Sequence, residues 1–291
     1  MVAAMAVSGT IGVFVVGSGQ PPLTVVFFRC LIGAAALLGW LHYGGRWRRP
    51  ERRALAWIAL GAAALIGNWL CLFAAFTLAG ISIATVVYHV QPFILVLLAA
   101  LTGREPLDRR KLPWLLLAFA GVAFTTGIDA GGGHAGLAAG VLLALAAAFL
   151  YALATLATRQ LGAYAPAQIA GLQLLLGVLV LAPLTRFDPH AVSQAGWGSL
   201  LIVGLVHTGL VYNLMYGAFQ RLRAETIASL SFIYPVVAML ADYLVFDTRL
   251  GPWQWAGVGM ILLSLAGSQR AAAQPNRRLV CATSAVPSGE Q

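Results

Sequence analysis

Apolar residues do not alternate with polar ones along this chain. They run on for about twenty positions at a time and stop at short clusters of polar, glycine and proline residues. A run of about 20 apolar residues is what an α-helix needs to cross roughly 30 Å of hydrocarbon. Ten such runs are found, at 2–19, 22–43, 54–78, 82–102, 112–128, 136–158, 166–185, 197–219, 225–246 and 252–269. The breaks between them (GSGQPP, RWRRPERR, TLAGIS, GREPLDRRKLP, DAGGGHAG, RQLGAYAP, RFDPHAVSQ, RLRAE and DTRLGP) have turn chemistry. The pattern predicts an all-α membrane protein with ten transmembrane helices. The first run has no basic leader and passes at once into the second helix, so it reads as a retained helix rather than a cleaved signal. From Ala271 the tail is polar and without periodicity, and it reads as disordered.

Composition and charge sharpen this picture. Of the 291 residues 60% are apolar and 9% charged, against about 25% charged in soluble domains. Mean hydropathy is +0.85. A net charge of +9 does not point to nucleic acid, because the basic residues sit in the breaks. With the N-terminus placed in the cytoplasm, the inner loops and tail hold fifteen Lys and Arg, the outer loops only Arg186 and Arg249. Positive-inside bias therefore predicts both termini on the cytoplasmic side of the cell's inner (plasma) membrane. Cys30 and Cys71 lie inside apolar runs and Cys281 in the tail, so no disulfide framework is expected.

The chain also repeats itself. Pro22 and Pro166 stand 144 residues apart, Pro92 and Pro235 stand 143 apart, and Asn68 and Asn213 stand 145 apart. Glu105 pairs with Asp247 and Trp114 with Trp255 at offsets of 142 and 141. An odd number of helices per unit inserts the second copy upside down. The basic loops of the first copy become weakly charged outer loops in the second, as that requires. The expected units are 1–130, 134–270 and a tail at 271–291. Inverted repeats of this kind are a signature of secondary transporters, with substrate held near the midplane.

Two inverted five-helix halves, Arg29 early in the second helix, the paired prolines, Glu105 after the fourth helix and Trp114 opening the fifth together resemble the drug/metabolite transporter superfamily, each half being similar to an EamA-type unit. The resemblance spans roughly residues 3–269, with Gln173 where the first half has Arg29, and Asp247 where Glu is usual. The segment YHVQP (88–92) and the aromatic helix faces most resemble the aromatic amino acid exporters of the YddG type. The resemblance implies a secondary transporter that exports small organic metabolites, amino acids including aromatic ones, by alternating access. A channel-like pore or a non-transporting membrane scaffold is the alternative.

Candidate substrate contacts follow from polar and aromatic residues at depth, which in lipid face a protein interior or a cavity. Tyr88 and Gln91 share a helix face before Pro92; their repeat mates, Ser231 and Tyr234, precede Pro235. Each proline frees the carbonyl four residues earlier, on Tyr88 and Ser231, and serves either a cavity or a packing kink. Asn68 and Asn213 read equally as helix glue or substrate contacts. Trp69, Tyr151, Tyr212 and Tyr216 are placed as aromatic walls. His89 and His207 lie within spans, as hydrogen-bonding residues, cavity contacts or proton carriers, and His89 is counted among the candidate substrate contacts; it has no counterpart, the second copy having Phe232 there. Arg29 snorkels to the outer headgroups, pairs with Asp242, or meets a substrate carboxylate. No span carries a mid-depth carboxylate, so facilitated diffusion is the simpler expectation. No HExxH, P-loop or GxSxG pattern occurs, and neither catalysis, a metal nor a cofactor is expected. The expected partners are a small-molecule substrate and the lipid bilayer, with no nucleic acid and no obligate protein.

Overall fold

The computed structural model describes residues 1–45, 47–79, 81–103, 108–126, 136–185, 192–246 and 251–273. Among them are fourteen α-helices and no strand: α1 (Val2–Gly9), α2 (Ile11–Gly17), α3 (Pro22–Tyr43), α4 (Arg52–Ala79), α5 (Ile81–Tyr88), α6 (Gln91–Leu101), α7 (Leu112–Thr126), α8 (Leu137–Arg159), α9 (Pro166–Leu181), α10 (Gln194–Ile202), α11 (Val211–Arg221), α12 (Ala224–Ser231), α13 (Ile233–Phe246) and α14 (Pro252–Ala273). A π-helical segment, Val203–Leu210, joins α10 to α11 without a break.

Among the described residues, seven stretches are long and apolar enough to cross a membrane: Pro22–Tyr43, Arg52–Ala79, Ile83–Leu101, Leu137–Arg159, Pro166–Leu184, Gln194–Arg221 and Ala224–Val245. Val2–Gly17 and Leu112–Phe124 are apolar but shorter. The tenth expected span is α14, in which Gln254, Ser264, Ser268 and Arg270 dilute the apolar run.

Prolines set the helix ends. Pro22 and Pro166 open α3 and α9, where the missing N–H costs nothing and the fixed φ suits the first turn. Pro92 and Pro235 act from within a span. A proline ring clashes with the carbonyl four residues earlier, and α5 and α12 end at those residues, Tyr88 and Ser231. The expected single helices at 82–102 and 225–246 are therefore broken ones. The first span is also broken, at Thr10, whose hydroxyl donates back to the Val7 carbonyl at 2.9 Å.

The bundle is held by close approach of small residues, since lipid tails offer helices no hydrophobic push toward one another. The densest contact is α4 on α8, and Ala144, Ala147, Ala148 and Ala152 of α8 are all fully buried. The contacts come in related sets: α4 on α8 and α11 on α1; α6 on α8 and α13 on α1; α4 on α9 and the π segment on α3. Two further extensive contacts are α3 on α9 and α7 on α14. At the α7–α14 crossing a Cβ on Gly121 would stand 2.8 Å from the Gly257 carbonyl oxygen and 2.8 Å from Ile261 Cγ1. Backbone cannot yield there. Gly121→Val should separate the two helices at a cost of about 1–3 kcal/mol. It is expected to lower the thermal midpoint in detergent, whereas Leu116→Val, at an exposed position of the same helix, should leave it near wild type.

Candidate functional site

The two broken helices meet at their breaks. His89, the first residue after α5, faces Phe232, the residue between α12 and α13, with ring centroids 6.3 Å apart. These are the two positions related by the 143-residue offset. The His89 ring is buried, and its Nδ1 lies 2.7 Å from the Thr85 carbonyl. Ser231 likewise spends its hydroxyl on its own helix, donating to the Ile227 carbonyl at 2.8 Å.

Around this junction the aromatic residues converge. Tyr88 and Tyr151 stand edge to face at 6.3 Å, and Tyr88 has Tyr212, Tyr234 and Arg29 as electrostatic neighbours. Trp69 meets Tyr212 at 6.3 Å, Tyr212 meets Tyr216 at 5.5 Å, and Tyr216 stacks on Phe219 at 5.8 Å. The Tyr151 hydroxyl points at Met215 Sδ, 3.4 Å away. Trp69, Tyr212 and Tyr216 are buried, whereas Tyr88, Tyr151 and Tyr234 keep part of their surface open. Asn68 is the strut of the group: its Nδ2 donates to the Ala147 carbonyl on α8 at 2.8 Å and reaches the Tyr88 hydroxyl at 3.3 Å. It thus glues two helices and positions a cluster tyrosine at once.

Asn213 does not join this group. It lines a separate cavity of about 200 Å³ with Trp40, Leu41, Gly44 and Pro166.

Arg29 turns inward instead of snorkelling. Its guanidinium carbon lies 4.5 Å from the centroid of Trp69 and 5.9 Å from that of Tyr212, cation–π geometry in both cases. Its Nε donates to Thr208 Oγ1 at 3.2 Å. Thr208 can do this because the π segment lets its own hydroxyl reach the Val203 carbonyl, five residues back, at 2.9 Å. His207, in the same segment, shares a 3.0 Å hydrogen bond with Thr10 Oγ1 at the break of the first span. The side chain of Asp242 lies outside the described residues, as do Glu105 and Asp247. Gln173 stands where the second half lacks an arginine. Its Oε1 accepts from the Tyr216 hydroxyl, and its Nε2 occupies the space a Cβ on Gly61 would need. Gln91 is buried beside Pro92 and, among the described residues, its Nε2 has no hydrogen-bond partner.

Residues 1–127 and 138–268 each match the EamA-like transporter family. The chain belongs to the EamA-like transporter family. It is a multi-pass membrane protein of a transporter family, not of an enzyme family. It is 32% identical over 274 residues to an uncharacterized transporter of Bacillus subtilis (strain 168), covering 91% of this chain and 87% of that one. A probable amino-acid metabolite efflux pump of Salmonella typhimurium is 25% identical over 84% of this chain and 85% of its own length. The Escherichia coli (strain K12) protein of the same description is 26% identical over 63% of this chain and 65% of its own. A solved crystal structure shares the fold at TM-score 0.81 and 20% identity, covering 94% of this chain and 96% of that one.

In this EamA-like transporter the end of the bundle that carries the α3–α4, α6–α7, α8–α9 and α11–α12 connections is laced by polar contacts. The buried Glu225, in the first turn of α12, accepts from Lys111 Nζ at 2.9 Å and from the Asp108 backbone N–H at 2.7 Å. The helix N-terminus favours its charge as well. Nearby, Gln168 and Arg48 exchange two hydrogen bonds, at 3.3 and 2.6 Å, and Gln220 Nε2 donates to the carbonyls of Leu161 and Tyr164. None of these pairs was legible in the sequence, their members lying 56 to 120 positions apart. Removing one member of a buried ion pair strands the other, at about 3–5 kcal/mol. Lys111→Met should therefore lower the thermal midpoint sharply, and adding Glu225→Gln should restore most of the loss.

Proposed function

We propose that this chain is a carrier that exports small organic metabolites, amino acids including aromatic ones, by alternating access around the aromatic cluster between the two broken helices. The observation that carries the reading is the convergence of Tyr88, Tyr151, Tyr212, Tyr216, Trp69 and Tyr234 at the His89–Phe232 junction. Such a place offers apolar ring faces, a few hydroxyls and one cation, which suits a neutral or zwitterionic molecule with an apolar body. Two relatives described as probable amino-acid metabolite efflux pumps support the cargo class and the outward direction.

The architecture we propose is ten membrane-crossing helices in two inverted five-helix halves, 1–130 and 134–270, with both termini on the cytoplasmic side of the inner (plasma) membrane. The related contact sets of the bundle support it, as do the fifteen inner against two outer basic residues. On that orientation the laced end of the bundle is the cytoplasmic one, and opening toward the cytoplasm has to part the Lys111–Glu225 pair. Rocking of one half against the other about a fixed midplane site is how inverted-repeat carriers work.

Counterflow in proteoliposomes tests the reading. Labelled phenylalanine outside should accumulate transiently when unlabelled phenylalanine is loaded inside; a non-saturating leak, or no flux, rules out a carrier of this class. Tyr88→Ala and Tyr234→Ala should each slow exchange by about two- to tenfold, the worth of one aromatic contact, while the variants still fold. Wild-type exchange by both variants would move the site elsewhere.

A further inference from the structure

We propose that the guanidinium of Arg29 is the seat for a carboxylate of the transported molecule, so that the cargo carries a single carboxylate group and is distinguished from its own amide and amine. This rests on the carrier reading above and names the group by which the site would select.

The geometry points one way. Trp69 covers one face of the guanidinium at 4.5 Å, with Tyr212 at 5.9 Å. Thr208 holds the Nε at 3.2 Å. Among the described residues, neither Nη of Arg29 has a hydrogen-bond partner and no carboxylate pairs with it. What is left free is the two-nitrogen edge of the fork, the edge that carboxylates accept from in paired, parallel hydrogen bonds. The fork is pre-set, because the Thr208 hydroxyl proton is committed to the Val203 carbonyl and only its lone pairs remain for Arg29. Pre-setting lowers the ordering cost of binding. With one edge held and one face stacked, the half-buried arginine keeps its remaining donors accessible, and a substrate oxygen pair can take them.

The surroundings set the size of the charge. Arg29 is the one basic residue of this chain that lies well inside a span; the other seventeen lie in the connections, at span ends or in the tail. A dianionic phosphate ester wants a cluster of cations, and one guanidinium matches one carboxylate. Tyr88 lies close enough to Arg29 to feel its charge, so a molecule seated on the fork has the tyrosine cluster against its body.

The test uses purified full-length protein and four probes that share a phenyl ring: phenylalanine, 3-phenylpropionate, phenylalaninamide and phenethylamine. Thermal stabilisation is read in detergent, and counterflow in proteoliposomes. Phenylalanine and 3-phenylpropionate should stabilise wild-type protein where the amide and amine do not. Phenylalanine should exchange about tenfold or more faster than its amide, the worth of a charge-assisted hydrogen bond. Arg29→Gln should erase that preference in both assays, and Arg29→Lys, which keeps the charge and loses the fork, should keep only part of it. If wild type takes the amide as readily as the acid, or if Arg29→Gln keeps the preference for the acid, the seat is wrong and the carrier reading stands. If no probe exchanges while acid-selective stabilisation is present and lost in Arg29→Gln, the carrier reading falls and the seat stands. The absence of both exchange and acid-selective stabilisation sinks both readings. Should Arg29→Gln not fold, the same comparison on Arg29→Lys decides.

Discussion

Backbone N–H and C=O groups in hydrocarbon have no water to turn to, and this chain is organised by that constraint. The departures from α-helix deep within its spans, among the described residues, are set against protein. The breaks after Tyr88 and at Phe232 face each other. The break at Thr10 faces the π segment, through Thr10 and His207. The π segment lies along α3, where its surplus turn receives Arg29. The mid-span breaks, the π segment and the Tyr88–Tyr151–Tyr212 group therefore gather in one interior. The candidate site is a consequence of where the backbone can afford to be irregular.

On the proposed reading, stability and selectivity are separated along the helix axis. At the laced end a buried ion pair and a set of side chain–to–backbone bonds join elements that are distant in sequence, and their strength depends on staying dry. In the interior the arginine is held by ring faces and one hydroxyl, contacts that leave its bonding edge unused. A group fully paired within the protein has little left to offer a visitor. Arg29 differs from Lys111 in that respect, although both are cations in largely apolar surroundings.

Much of this was legible in the sequence. Helix positions follow from run length, and the two mid-span helix ends follow from Pro92 and Pro235, since the clash with the carbonyl four residues back is local. Tyr88, Tyr151, Trp69, Tyr212, Tyr216 and Tyr234 could be grouped because aromatic residues at depth have few other places to go. The rest depends on information that spacing does not contain. A π turn in an apolar run has the same composition as an α turn, so Val203–Leu210 and the setting of Arg29 were hidden. Asn213 repeats the residue type of Asn68, but Asn68 bonds to Tyr88 while Asn213 lies against Trp40 and Pro166, a difference that spacing alone does not carry. The partners of Glu225 and Gln168 come from distant connections, and no local pattern announces them.

The stacking of Arg29 on Trp69 has an electrical side. Ring faces steady a cation without cancelling it, so among the described residues the guanidinium carries a whole uncompensated charge inside the low-dielectric slab. A charge that crosses the full membrane field does work of about 2.3 kcal/mol per 100 mV, and the part of that work felt at Arg29 depends on which side the water reaches it from. A monoanion on the fork neutralises the charge; a zwitterion leaves it in place. The membrane potential would then weigh differently on the empty, the monoanion-loaded and the zwitterion-loaded protein, sorting cargoes of the same shape by a property that no packing contact can read.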